Sequence, residues 1–232
     1  MTDLLFAPPA VRTLPVQGEA AAYPIHRIFC VGRNYEAHAK EMGNEVDREA
    51  PFYFTKSLSA VLTSGGTLPY PPGTADFHHE MEFVVALGAS GFRVPVDQAM
   101  GLVYGYGCGL DLTRRDLQAK AKDKRRPWDV AKDMEGGAVL GPLTQAQAFG
   151  PVTDQRIALK INGETRQDAT LAEMIHNVAE IIADLSLYYH LQPGDLIMTG
   201  TPAGVGPLAV GDHLIGTVEG LSPVELTIGE AE

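Results

Sequence analysis

Cysteine is scarce in this 232-residue chain: only Cys30 and Cys108 occur. They stand far apart in apolar surroundings and form no CxxC pair. That excludes a disulfide framework and predicts a protein of the reducing cytoplasm. Positive charge is also short. Lys and Arg number 18 against 29 Asp and Glu, a formal net charge of −11, which argues against nucleic acid or an anionic membrane surface as partner. No apolar run approaches the roughly 20 residues of a membrane helix. The N-terminus, MTDLLFAPPAVRTLPV, lacks a basic region followed by a long apolar stretch and is not read as a signal peptide. The Gly-Lys-Ser/Thr of a phosphate loop and the G-x-S-x-G of a nucleophile elbow are missing too. Cys108 has no His–Asp partner pattern, so a thiol nucleophile is not expected.

What is present is enough for a sizeable core. Apolar residues make up 45% and charged residues 20% of the chain, which disfavours bulk disorder. Twenty-five glycines and 16 prolines punctuate many short apolar runs. RIFCVG, PFYFTK, MEFVVALG, LVYGYGCGLDL, RIALKING, DLIMTG, HLIGTV and VELTIG read as strands, most of them bounded by Gly, Pro or Asp. Asn162-Gly163 marks a hairpin turn. PGDLIMTGTPAG and VGDHLIGTVEG echo each other as two turn-strand units of one β-structure.

Three helices are predicted. TLAEMIHNVAEIIADLSLYYHL opens on a Thr170–Glu173 capping box, with Leu171, Ile175, Val178, Ile182 and Leu185 at helical spacing. TRRDLQAKAKDKRR follows a strand with Thr113 as its N-cap. NYEAHAKEM is shorter, with Asn34 as its cap. The pattern is α+β, rich in β, with a long helix on the sheet.

The chemistry gathers around HHEMEFVVALG. Glu80 and Glu82 are two apart at the head of an apolar strand and therefore point to one face. A solvated strand end would tolerate them. Asp111, at the end of a Gly-rich strand in GCGLDLT, offers a third carboxylate. Three carboxylates without Cys or clustered His make an all-oxygen set suited to a hard cation, Mg²⁺, with Mn²⁺ or Ca²⁺ as alternatives. His78 and His79 read as turn or core histidines, with a place at or just behind the metal as the alternative. On the short helix His38 and Glu41 are three apart and share a face, so Glu41 can orient His38 as a general base. Arg33, Lys56, Arg114, Arg115 and Lys132 lie in or beside these segments. Lys120, Lys122, Lys124, Arg125 and Arg126 read as a solvated helix face and its exit. The loop at Gly200, Thr201 and Pro202 could present N–H groups and a hydroxyl to a carboxylate or an oxyanion.

Taken in order, GRNYEAHAKEM, FTKS, HHEMEFVVALG, GLDLTRRDLQ, WDVAKDMEGG and PGDLIMTGTPAGVGP resemble the fumarylacetoacetate hydrolase family in its short, single-domain form. The resemblance runs from about residue 27 to the C-terminus. It leaves residues 1–26 as an N-terminal segment packed on a catalytic domain at 27–232. It implies a mixed β-roll with flanking helices, the fold of the fumarylacetoacetase C-terminal domain, commonly as a homodimer. It places metal ligands on Glu80, Glu82 and Asp111, usually for Mg²⁺. The catalytic dyad falls on His38 and Glu41, and substrate contacts fall on Arg115, Gln118, Lys132 and Thr201. Lys132 is read as catalytic too, as charge partner of the product enolate, and Arg33 as a further substrate contact. The activity implied is metal-dependent hydrolysis of the C–C bond of an acylpyruvate, fumarylpyruvate first, in the breakdown of aromatic compounds. Decarboxylation or isomerisation of a related 2-oxo diacid such as oxaloacetate is the alternative.

Overall fold

The computed structural model describes residues 4–41, 43 and 48–231. Its centre is an eight-stranded sheet. The strand order is Phe52–Lys56, Arg27–Gly32, Asp195–Met198, Met81–Leu87, Val103–Asp111, Ala138–Leu140 and Val61–Thr63, with Thr144–Gln145 added beside Val103–Asp111. A five-stranded sheet runs Glu164–Thr170, Arg156–Ile161, His213–Val218, Val224–Gly229 and Gly66–Pro69. A small three-stranded sheet joins Thr113–Arg114, Phe77–His79 and Gly206–Pro207. The result is the strand-rich α+β architecture expected. The two echoing segments nevertheless part company. Asp195–Met198 lies in the large sheet and His213–Val218 in the five-stranded one, because similar turn chemistry starts a strand but does not choose its neighbours.

All seven residues of Met81–Leu87 are buried, which explains its unbroken apolar run. Its two faces feed two cores. Phe83 and Val85 pack with Tyr106, Leu159, Leu226 and the helix residues Ile181, Ile182 and Leu185. Val84 and Ala86 pack with Ile28, Leu196, Met198 and Leu140. Into this second core come Leu14, Val16, Tyr23 and Ile25 from the N-terminal segment, whose strands Thr13–Leu14 and Tyr23–Pro24 form a hairpin. Burial of such side chains stabilises by about 1.5–3 kcal/mol each. The strand Val103–Asp111 presents glycine to one of its sides. A Cβ at Gly105 would stand 2.3 Å from Thr144 O, and one at Gly109 would stand 2.7 Å from Val84 Cγ2. Only glycine permits that approach.

The predicted helices exist, with different boundaries and caps. The long one is broken. Thr170 and Glu173 do form a capping box, but it starts a single 3₁₀ turn, Leu171–Glu173. The α-helix begins at Val178 and runs to Tyr188, under a second box formed by Asn177 and Glu180. A side chain from another segment holds the break open. Asn34 accepts from His176 N at 2.8 Å and donates to His176 O at 3.0 Å and to Thr199 O at 2.8 Å. Asn34 is thus a tie between segments rather than the cap predicted for Glu36–Glu41. Met42, included in that predicted helix, lies outside the described residues. Nor does Thr113 cap Arg115–Asp123; it belongs to the strand Thr113–Arg114 opposite His78. At Asn162-Gly163 both residues have positive φ, 52° and 85°, as the hairpin turn requires.

Candidate active site

Strand register brings the acidic residues together. Met81 pairs with Leu110 and Glu82 with Gly109, and Asp111 N donates to Glu80 O at 2.9 Å. Glu80 and Asp111 are therefore cross-strand neighbours, and Glu82 lies opposite Gly109. One ligand oxygen from each of the three carboxylates lies within 4.8 Å of the others, and all three residues are buried. Like charges opposed on a sheet repel, so the arrangement needs cations.

The protein supplies three. Lys132 Nζ donates to Glu80 Oε2 at 2.7 Å and to Asp111 Oδ2 at 2.6 Å. Arg115 pairs with the other oxygen of Glu80. Lys56, at the end of its strand, places Nζ 2.8 Å from Asp111 Oδ1. Burial alone would push the Glu80 carboxyl up, but Lys132, Arg115 and His38 hold it well below the usual carboxylate range. Glu82 goes the other way. Burial, then the charges of Asp111 and Glu80, push its carboxyl well up; the charge of Lys132 and the N–H of Gly200, which donates to Oε2 at 2.8 Å, only partly oppose them.

These residues fit a hard divalent cation. Asp111 Oδ1 is buried and meets only the Lys56 ammonium, in a geometry that makes no hydrogen bond, so it keeps lone-pair capacity for a further ligand. Glu82 lacks a cationic side chain within ion-pair distance among the described residues. A cation would complete both, and an oxygen-only set is the donor chemistry such ions take.

His38 is buried, with Nδ1 3.4 Å from Glu41 Oε2. Glu41 accepts from Gly204 N at 3.1 Å with each oxygen, which ties the helix to the Gly-rich loop. Burial lowers the His38 pKa below its ordinary value, against the pull of Glu80 and Glu41. The loop's N–H groups at Gly200 and Gly204 therefore serve the protein's own carboxylates rather than standing open. Arg33, with φ of 59°, turns the chain from strand to helix and is exposed. Arg115 donates to Gln118 Oε1 at 2.7 Å and to His78 Nδ1 at 3.3 Å as well as to Glu80. Thr201 Oγ1 accepts from Gln167 Nε2 at 2.8 Å. His79 is buried against Gln167, and His78 pairs with Asp76 while its other ring nitrogen accepts from Arg115.

One narrow cavity is lined by Arg33, His38, Glu80, Glu82, Asp111, Arg115, Gln118, Lys132 and Thr201. Glu41 stands behind His38. Lys122, Phe54 and Trp128 also line it, and none of them was singled out from the sequence. Lys122 is not on a solvated face. It sits 5.1 Å above the Trp128 ring, and burial, with repulsion from Arg115 and Arg33, pulls its pKa down to about 8. The signal was available: Arg115, Gln118 and Lys122 recur at i, i+3 and i+7, one helix face. Lys56 was visible as a strand-end cation, but its link to Asp111 depends on long-range pairing.

Comparison with known proteins gives a consistent picture. The model for the fumarylacetoacetate hydrolase C-terminal domain matches residues 27–229. A fumarylpyruvate hydrolase of Ralstonia sp is 55% identical over 194 residues, covering 82% of this chain and 100% of that protein. An oxaloacetate tautomerase of Escherichia coli is 39% identical, covering 89% of this chain and 94% of its own. The crystal structure of fumarylpyruvate hydrolase from Pseudomonas aeruginosa, in complex with Mn²⁺ and pyruvate, superposes with a TM-score of 0.95 at 41% identity. That match covers 98% of this chain and 100% of the other.

Proposed function

The chain belongs to the fumarylacetoacetate hydrolase family, and from that premise we propose that it hydrolyses the C–C bond of an acylpyruvate. Fumarylpyruvate is the substrate, fumarate and pyruvate the products, and Mg²⁺ the resident ion. The observation that carries this reading is the convergence of His38, Lys132 and the three carboxylates on one cavity. A divalent cation held by Glu80, Glu82 and Asp111 supplies Lewis-acid stabilisation of negative charge on the oxygens of a 2-oxo acid.

The protein's own groups do the rest. Glu41 engages Nδ1 of His38 and leaves Nε2 to take a proton from water, which attacks the distal carbonyl. The C–C bond then breaks and its electron pair leaves with pyruvate as the enolate. Lys132 is the charge partner of that enolate. Burial alone would strip its proton, but Asp111 and Glu80 overcome this and raise its pKa. Arg115 has five N–H donors, three of them engaged within the protein among the described residues. With Arg33, Gln118 and Thr201 it binds substrate carboxylates. The enzyme works in the cytoplasm as a homodimer.

A spectrophotometric screen of acylpyruvates with varied acyl ends, with and without chelator, tests the reading. Fumarylpyruvate should be cleaved, and chelation should stop it. Oxaloacetate turnover in the absence of any acylpyruvate cleavage would favour the tautomerase-like chemistry named for the Escherichia coli relative.

The pH profile follows from two groups. His38 must be neutral to accept a proton, and burial sets its pKa below 6.5, so kcat/KM should fall only as pH drops through that lowered value. Lys122 loses its charge as pH rises through about 8, which weakens attraction for an anionic substrate and gives a basic limb. Lys122→Arg keeps the charge and should extend the plateau to higher pH; a basic limb unchanged in that variant would assign it to another group.

A further inference from the structure

The narrow cavity does not stand alone. It adjoins a cleft of about 570 Å³, with Gly32, Arg33, Phe54, Trp128 and Lys132 in the walls of both. The cleft therefore meets the narrow cavity at Lys132, while His38 and the carboxylates line the cavity alone. One side of the cleft is aromatic. The Phe52 ring packs edge-on against Trp128 at 5.1 Å, and the Phe54 ring is tilted against it at 6.0 Å. These rings offer apolar surface and ring faces to an unsaturated chain.

Its polar groups are mostly donors. Arg33, Arg126 and His176 line it, with Asp129 as the acidic lining residue. His176 carries the most information. Its Nε2 is buried and has no hydrogen-bond partner. The residue cannot drift to find one, because Asn34 grips both its backbone N and O, and Ile175 N donates to Asn34 O at 2.8 Å. His176 lines the cleft beside two guanidinium groups, and its Nε2 stands buried without a partner on a fixed backbone, a polar group that an acceptor on a ligand would satisfy.

We propose that this cleft is the acyl subsite, and that His176, with Arg126 and Arg33, binds a carboxylate at the far end of the acyl group. The inference rests on the acylpyruvate reading and deepens it: the enzyme selects dicarboxylic substrates whose acyl arm is unsaturated and ends in an anion. The aromatic side holds the arm, and the donors read its end. In the bound state the ring carries its proton on Nε2. His176 is a specificity residue; it stands apart from His38 and takes no part in proton transfer.

The test uses His176→Leu, which removes the donor, and His176→Gln, which retains an N–H. With metal present, kcat/KM is measured for fumarylpyruvate and for acetylpyruvate, whose acyl end is a neutral methyl. His176→Leu should lose on the order of tenfold for fumarylpyruvate, chiefly through KM, and change little for acetylpyruvate. His176→Gln should keep part of the preference. Equal losses on both substrates, or an unchanged ratio, would overturn the assignment. A binding measurement separates this failure from failure of the reaction reading. Fumarate and crotonate differ only in a carboxylate replaced by methyl. The metal-loaded protein should bind fumarate more tightly, and His176→Leu should erase the difference. If no acylpyruvate is cleaved but this preference exists and is lost in the variant, the cleft assignment stands and the reaction assignment falls. If the unaltered protein does not distinguish the two acids, the cleft assignment falls.

Discussion

Replacing His38 with alanine is expected to lower acylpyruvate turnover by on the order of a hundredfold or more while metal binding persists. The two effects separate because His38 is outside the carboxylate triad. It lines the same cavity but is held from the other side, through Glu41, whose oxygens both accept from Gly204 N. Removing the ring takes away the proton acceptor and the pull of His38 on Glu80, but leaves Lys132, Arg115 and Lys56 on the carboxylates. Steady-state turnover and the rise in thermal midpoint on adding Mg²⁺ are the two measurements. Undiminished hydrolysis would remove His38 from the mechanism. Loss of the Mg²⁺ response together with turnover would mean that the residue supports the triad rather than acting on water. Glu41→Gln should be milder, since an amide oxygen can still accept from the Gly204 N–H.

Lys132→Met should be costly in a different way. The ammonium is buried and bonds two carboxylates at once. Without it, the metal-free protein holds excess negative charge in a dry site, although Arg115 and Lys56 remain. Breaking a buried ion pair in this way costs about 3 kcal/mol or more, which for a domain of this size lowers the thermal midpoint by about 10 °C. A divalent cation should recover most of that loss, because it supplies the charge that the lysine supplied. Turnover should not return, because the enolate's charge partner is still missing. Thermal scans with chelator and with Mn²⁺, beside an activity assay, distinguish the two roles. A variant whose stability ignores the cation would contradict the shared-charge account, and full activity would remove Lys132 from catalysis.

Much of this site was legible in the chain itself, and the reasons are local. Glu80 and Glu82 obey a period of two, and His38 and Glu41 a spacing of three. Asp111 closes an apolar run, as functional side chains at strand ends do. What could not be read was pairing at a distance. That Asp111 is the neighbour of Glu80, and that Lys56 reaches Asp111, follow from strand register. The break before Val178 was hidden because Leu171, Ile175 and Val178 keep helical spacing across it, although Asn177 with Glu180 marks a second start. With that break went His176, which a continuous helix would have made an ordinary surface residue. Lys122 and Arg126 were lost in a run of positive charge, where only the face shared with Arg115 and Gln118 sets Lys122 apart.

The placement of these groups divides the protein into parts that can change at different rates. The carboxylates stand at paired strand ends in a sheet with cores on both sides, where almost any replacement disturbs the packing. The acyl cleft is edged by Ala50 and Pro51, Arg126 to Asp129 and His176, stretches that mostly connect elements. Diversification could rewrite that rim repeatedly over an unaltered floor, so a laboratory library confined to these positions should yield new acyl preferences without forfeiting the bond-breaking step.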